Sequence, residues 1–189
     1  MSTTLLPPFE AFPEEAKLIG QLLAGYATLE IDLMNCVSVV RDDLDSTLKA
    51  MFRARGETQR IQVADALGRQ HYIKLKLGTE FEMAVGAVKF CMKVRNQYAH
   101  CIWYDDNTGF LAFVNLEELA ELNAFVPSLV GLTRHHVDVP LLSAQMTYFK
   151  YATSLLAWTN FEGRRLAGKL TNQPLAKPPA MKQPLLRNP

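Results

Sequence analysis

The chain has 189 residues, 49% of them hydrophobic and 21% charged, with a formal net charge of +1. That length suits one well-buried core and is too short for two comfortable domains. A near-neutral balance excludes a whole-molecule field that recruits nucleic acid, so any such binding has to come from local patches. Charge is unevenly spread: residues 41–100 hold eleven Lys/Arg against seven Asp/Glu, residues 163–189 hold six Lys/Arg and no acid, and residues 105–121 hold acids with no Lys or Arg.

Residues 1–12 contain prolines and threonines and are expected to form a flexible N-terminal segment. They lack a basic region joined to a continuous apolar run, and nowhere do about eighteen apolar residues stand together. A cytoplasmic chain with no membrane partner is the expectation. Pro13, Glu14 and Glu15 then start a helix, with proline in the first turn and acids at the positive end of the helix dipole. Its apolar stripe, Ile19, Leu22, Tyr26, Leu29, Leu33, Cys36 and Val40, alternates steps of three and four and predicts a bundle helix reaching Val40.

Two shorter helices are predicted at 43–52 and 57–67, separated at Gly56. Leu44, Leu48, Met51 and Phe52 are the expected buried positions of the first, and Ile61, Ala64 and Leu67 those of the second. Gly68 and Gly78 are expected to bracket a loop, after which Thr79 resembles an N-cap opening a long helix. Residues 101–104 and 110–114 flank a glycine-bearing turn and predict a short hairpin. Asn115 and Glu118 have capping-box spacing before Leu119 and Leu122 and predict one short helix, followed by irregular chain over 127–139. Asp138 and Pro140 announce the last helix. Leu142, Phe149, Ala152 and Leu156 mark one of its faces, and Tyr148, Tyr151, Leu155 and Trp158 the next.

Prolines at 174, 178, 179, 184 and 189 with interspersed bases describe a tail too poor in packing groups to fold alone. The expected organisation is a flexible segment at 1–12, a helical domain at 13–168 and a Pro-rich basic tail at 169–189. The expected fold class is all-α: an antiparallel bundle of four to five main helices with a small β-hairpin insertion. Cys36, Cys91 and Cys101 are odd in number and show no Cys-x-x-Cys spacing, which favours free packing thiols in a reducing compartment.

The most informative stretch is Arg95-Asn96-Gln97-Tyr98-Ala99-His100. Phe81, Val85, Val88, Met92, Arg95, Ala99 and Ile102 continue one seam in steps of four and three, which puts a guanidinium in register with core side chains. An unpaired buried charge costs several kcal/mol, so Arg95 must meet an anion, a carboxylate or a solvated cleft. Glu30 and Asp32 are the candidate acids of a purely structural ion pair. On a helix Asn96 and His100 lie within about 40° of each other, with Arg95 bordering them. A histidine exchanges protons near neutral pH and an arginine presents a planar fork suited to phosphate. That pairing suits phosphodiester cleavage with no metal or other cofactor.

Arg95-Asn96-x-x-x-His100, late on a helix of an all-α chain, resembles the Arg-x4-6-His signature of the HEPN superfamily, and the resemblance covers roughly residues 17–168. It implies a helical bundle that dimerises so that two motifs face one cleft, and metal-independent endoribonuclease activity of bacterial type, in stress response, toxin–antitoxin systems or defence. By the resemblance Arg95 contacts the scissile phosphate of an RNA substrate, His100 transfers protons, and Asn96 orients one or the other. A homodimer and a regulatory partner such as an antitoxin follow from the same likeness. The sequence departs from toxins regulated by nucleotidyl transfer, in which the motif continues as His-x-Tyr: His100 is followed by Cys101 and Ile102, and the next tyrosine is Tyr104. Some members of the superfamily are inactive scaffolds, so a noncatalytic dimeric interaction protein is the rival reading.

Further candidates for contacting substrate are Trp103 and Tyr104, whose rings can stack on unpaired bases, and Arg53, Arg55 and Arg60, which crowd one inter-helix junction and can track a phosphate backbone. For all five the structural alternative is ordinary: covering the core for the rings, a solvated helix end for the arginines. His135 and His136 lack metal-ligand spacing and are expected at the surface.

Overall fold

The computed structural model describes residues 5–121, 132 and 134–188. Among the described residues 67% are helical, in seven helices with a small three-stranded antiparallel sheet. The elements are α1 (Pro8–Ala11), α2 (Pro13–Arg41), α3 (Leu44–Phe52), α4 (Glu57–Lys74), α5 (Gly78–Ala99), β1 (Cys101–Asp105), β2 (Leu111–Asn115), α6 (Leu116–Glu121), β3 (His135–Val137) and α7 (Val139–Leu166). They divide into two compact units, one made of Met1–Ala24, Lys93–Thr147 and Pro184–Pro189, the other of Gly25–Met92 and Tyr148–Gln183. The long helices α2, α5 and α7 therefore contribute residues to both.

The regular elements of the second unit are all helices among the described residues. Its core is filled by Leu29, Leu33, Cys36 and Val37 of α2, Ile61, Ala64 and Tyr72 of α4, Phe81, Val85 and Val88 of α5, and Ala152, Leu155 and Leu156 of α7. The stripe expected on α2 is buried from Ile19 to Cys36, with Val40 half-buried at its end. By length and composition alone α2 is apolar enough to cross a bilayer, a test that a buried core helix also passes. Tyr72 ties helices together: its hydroxyl donates to the Cys36 carbonyl at 3.0 Å while its ring stacks on Phe81 with centroids 4.4 Å apart.

Three expectations fail in this unit. Gly68 does not end a helix, because α4 runs on to Lys74 with Gly68 in its buried seam between Ala64 and Tyr72. A Cβ there would meet the Phe81 ring at 2.7 Å, so the glycine serves close packing rather than termination. On α3, Met51 is buried as expected, but Leu44, Leu48 and Phe52 are exposed and Thr47 is buried in their place. The row of Leu44, Leu48 and Phe52 lies only about 60° from that of Thr47 and Met51 on a helix, and hydrophobicity alone does not exclude it. The expected N-cap at Thr79 also shifts, since α5 already begins at Gly78.

In the first unit β2 is central, pairing antiparallel with β1 from Cys101↔Asn115 to Asp105↔Leu111 and with β3 from Leu111↔Val137 to Phe113↔His135. Leu111, Ala112, Phe113 and Val114 are all buried, so both faces of this strand are covered. The hairpin is as expected. The third strand is not, because three residues are too few to show an alternating pattern. Within the segment expected to be irregular, only part lies among the described residues, and Leu122 of the capping-box reading lies outside them. Asn115 does cap α6, its Oδ1 accepting from the backbone N–H groups of Glu117 and Glu118 at 2.9 and 3.1 Å. Asp138 likewise accepts from the Leu141 N–H at 2.9 Å where α7 starts.

Of the segment expected to be flexible, residues 8–11 form a helical turn whose Phe9 packs on Trp103, ring centroids 5.3 Å apart. The tail has no helix or strand of its own, as its composition implies, yet it is held at many points. In the second unit Lys169 donates to Asp42 at 2.8 Å, Gln173 to the Trp158 carbonyl at 3.2 Å, and Lys177 to Glu80 at 3.1 Å. In the first unit its last residues receive hydrogen bonds from α5 and α7.

Candidate functional site

The six-residue motif occupies the last turns of α5 and the first residue beyond it, within the first unit. Arg95 is half-buried rather than in the core. The buried line of α5 passes through Val88, Cys91, Val94 and Tyr98, so the seam extrapolated straight from Phe81 through Arg95 and Ala99 has drifted off the buried side by the last turns. Successive residues diverge by about 100° on a helix, which puts Arg95 beside the face that Val94 buries. Its neighbours in sequence satisfy the core, and its guanidinium reaches the boundary with solvent. There Arg95 Nη1 donates to Asn96 Oδ1 at 3.1 Å. Glu30, expected as an alternative acid for Arg95, is instead 6% exposed and accepts from Arg60 Nη1 at 3.1 and 3.3 Å within the second unit.

His100 stands just past the helix with its side chain 49% exposed, and its Nε2 lies 3.6 Å from Glu117 Oε1. Leu116 donates its N–H to the His100 carbonyl at 2.9 Å, so the start of α6 is fastened to the motif through the backbone. Glu117 is a residue that sequence reasoning missed: it belongs to the first turn of α6, where an acid is explained by the helix dipole alone. A carboxylate facing an imidazole can orient the ring.

Asn96 opens onto a cleft of about 380 Å³, which it lines with Lys93, Gln97, Asn115, Glu117, Glu118, Glu121, Leu186 and Arg187. Two cations and three carboxylates line it, and one of the cations is engaged, since Arg187 Nη1 donates to both carboxylate oxygens of Glu118 at 2.9 and 2.8 Å. The same nitrogen lies 2.8 Å from His135 Nε2. Desolvation, and then the charge of Arg187, hold the His135 pKa below the ordinary imidazole value.

Beneath the motif, Tyr98 donates its hydroxyl to Gln145 Oε1 at 2.8 Å, and Gln145 Nε2 donates to the carbonyls of Leu185 and Leu186 at 3.0 and 2.9 Å. Gln97 Nε2 reaches the same Leu186 carbonyl at 2.7 Å. Gln145 is fully buried. It occupies the expected apolar face of α7, three residues after Leu142 and four before Phe149, and a polar residue in core register is the signal by which it could have been found. Burial pushes the Tyr98 hydroxyl well above its ordinary range, so this tyrosine binds without exchanging protons. Burial likewise pushes the Cys36 and Cys101 thiols up to about 12 and raises Cys91, which leaves all three inert as nucleophiles.

The remaining candidates are distributed elsewhere. Trp103 is packed among Phe9, Tyr98 and Phe113, with centroids 5.3 to 5.9 Å away, and covers the core. Tyr104 carries the Arg134 guanidinium over its ring at 4.5 Å. Arg53 and Arg55 are exposed and Arg60 is paired with Glu30, all three in the second unit, whereas Arg95, Asn96 and His100 are in the first. His135 and His136 are half-buried in β3, and His136 Nε2 lies 3.0 Å from Asp106 Oδ2. Among the described residues no group of three His, Cys, Asp or Glu side chains is arranged to hold a metal ion. No family model matches the sequence, and no curated protein or solved structure matches it either.

Proposed function

We propose that the chain is a metal-independent endoribonuclease of the HEPN kind, acting as a homodimer in which two copies of the motif share one groove. The observation that carries this reading is the position of Arg95 and Asn96 in the last turns of α5 with His100 just past its end, Arg95 half-buried and hydrogen-bonded to Asn96 and the imidazole open to solvent. In the proposed reaction the ribose 2′-hydroxyl attacks phosphorus, the O2′–P bond forms and the P–O5′ bond breaks. A 2′,3′-cyclic phosphate and a 5′-hydroxyl result. One imidazole removes the 2′ proton and another protonates the departing 5′ oxygen, which is why a second copy of His100 is required. Arg95 neutralises the charge that builds on the equatorial phosphate oxygens, Asn96 positions Arg95, and Glu117 orients His100.

The test is cleavage of a single-stranded RNA in the presence of EDTA. Arg95→Ala and His100→Ala are each expected to lower the rate at least about 100-fold while leaving the melting temperature nearly unchanged, because neither side chain fills the core. Unchanged cleavage in both variants removes the assignment. A second reading, a noncatalytic dimeric interaction protein, is favoured by one observation: Glu117, Glu118 and Glu121 give the cleft beside Asn96 an acidic lining that repels a polyanion. A wild-type chain that dimerises and leaves RNA intact supports it.

A further inference from the structure

The last residues of the tail are bound in the manner of a peptide ligand. Gln97 and Gln145 direct three amide hydrogen bonds at two consecutive backbone carbonyls, those of Leu185 and Leu186. Backbone carbonyls are what a bound segment offers regardless of its side chains, and with the chain bent at Leu186 and Arg187 two consecutive ones face the single amide nitrogen of Gln145, Leu185 being exposed and Leu186 half-buried. Specificity comes one residue later, where Arg187 enters the carboxylate of Glu118. Gln145 is the decisive residue. A fully buried amide in the apolar face of a helix is costly unless its hydrogen bonds are met, and here Tyr98 meets its oxygen and the tail meets its nitrogen.

We propose that residues 184–187 are a ligand carried by the chain itself, seated in a peptide-binding groove that α5, α6 and α7 build in the first unit to receive a bent Leu-Leu-Arg segment. The groove borders the motif through the motif's own middle residues. Gln97 holds the tail directly, Tyr98 holds it through Gln145, and Leu186 and Arg187 line the cleft onto which Asn96 opens. Seated, the tail narrows access to Asn96; released, it uncovers that edge. The consequence for cleavage rests on the ribonuclease reading, whereas the groove itself does not.

The experiment uses the full chain and a fluorescein-labelled synthetic peptide of residues 182–189, with binding followed by anisotropy. In the wild type the groove is filled and the peptide binds weakly. Arg187→Glu in the chain repels its own tail from Glu118 and is expected to raise affinity for the wild-type peptide at least tenfold. Glu118→Arg opens the groove in the same way but reverses its preference, taking a peptide that carries Arg187→Glu over the wild-type peptide. The double variant, Glu118→Arg with Arg187→Glu, reseats its tail and binds neither well. If neither single variant, each with the circular dichroism of the wild type, binds its matched peptide better than the wild type does, the groove is not a ligand site. Peptide binding with faster RNA cleavage in the opened variants supports the gate. Peptide binding with cleavage unchanged by opening overturns the gate and keeps the groove, and peptide binding with no cleavage by any form, wild type included, overturns the ribonuclease reading alone.

Discussion

A methyl group at position 68 would stand 2.7 Å from Cζ of Phe81 and 3.2 Å from Cγ2 of Val37. Neither neighbour has room to retreat, because Phe81 is fully buried and stacked on Tyr72, and Val37 is buried on α2. Overpacking of this kind costs about 1–3 kcal/mol, against roughly 1 kcal/mol gained by replacing glycine with alanine in a helix. Gly68→Ala is therefore expected to lower stability by about 1 kcal/mol, a fall of roughly 2–4 °C in melting temperature for a chain of this size. A rise would mean that the Phe81 ring yields. The same residue marks what single-residue reading can and cannot reach. Glycine announces either a break or a close approach, and only the identity of the facing side chain decides between them. Arg95 is a comparable case: its misfit with an apolar seam is visible in the sequence, but the turn of the buried line toward Val94 and Tyr98 depends on neighbours far away in the chain.

Helix content was legible at the level of elements where a helix carries its own punctuation: Pro13 with Glu14 and Glu15 for α2, Asn115 for α6, Asp138 for α7. The tail was not, since its attachment depends on backbone carbonyls, which every sequence possesses, and on Gln97 and Gln145, which lie on helices far from it in sequence. Its seating has a pH dependence that follows from His135. This imidazole faces the guanidinium of Arg187 at 2.8 Å and the carboxylate of Glu118 at 3.4 Å, with His136 adjacent on β3. Desolvation and Arg187 depress its pKa when the tail is seated, so the neutral ring is the bound form. A depressed histidine pKa contributes stability that is full above the unfolded value near 6.5 and is lost as pH falls through the lower, folded value. Acidification below about pH 6.5 is thus expected to loosen the tail. The peptide-binding assay reads this in the opened Arg187→Glu chain as affinity for the wild-type peptide that falls toward acid pH, because the peptide's own Arg187 meets the same imidazole. His135→Gln, which accepts from Arg187 without titrating, is expected to flatten that dependence, and an unchanged slope would place its origin elsewhere, with Glu118 the next group to test.

For the molecule as a whole, the net charge of +1 makes a strong general attraction to RNA unavailable, and the carboxylates of α6 make the cleft beside Asn96 less inviting still. A ribonuclease with these properties needs a concentrated source of positive charge, and the proposed pairing of two motifs would supply it, with two guanidinium groups for one phosphate where one chain offers a single Arg95. Two like charges at a shared groove repel in the absence of an anion, by roughly 1 kcal/mol at 4 Å in a water-like dielectric and more where solvent is excluded. Dimer formation should then be linked to anion binding, because a ligand that binds the assembled groove and not the separate chains stabilises the assembly by mass action. Light scattering is expected to give twice the 21.2 kDa chain mass, with the dimer persisting to lower protein concentration in inorganic phosphate than in chloride of equal ionic strength. Arg95→Ala removes the repulsion and the anion site together, so its dimer should be indifferent to phosphate. A chain that stays monomeric under all these conditions takes away the second imidazole, and with it the two-motif mechanism. A dimer whose strength ignores phosphate in both wild type and Arg95→Ala puts the interface away from Arg95, as the noncatalytic reading requires.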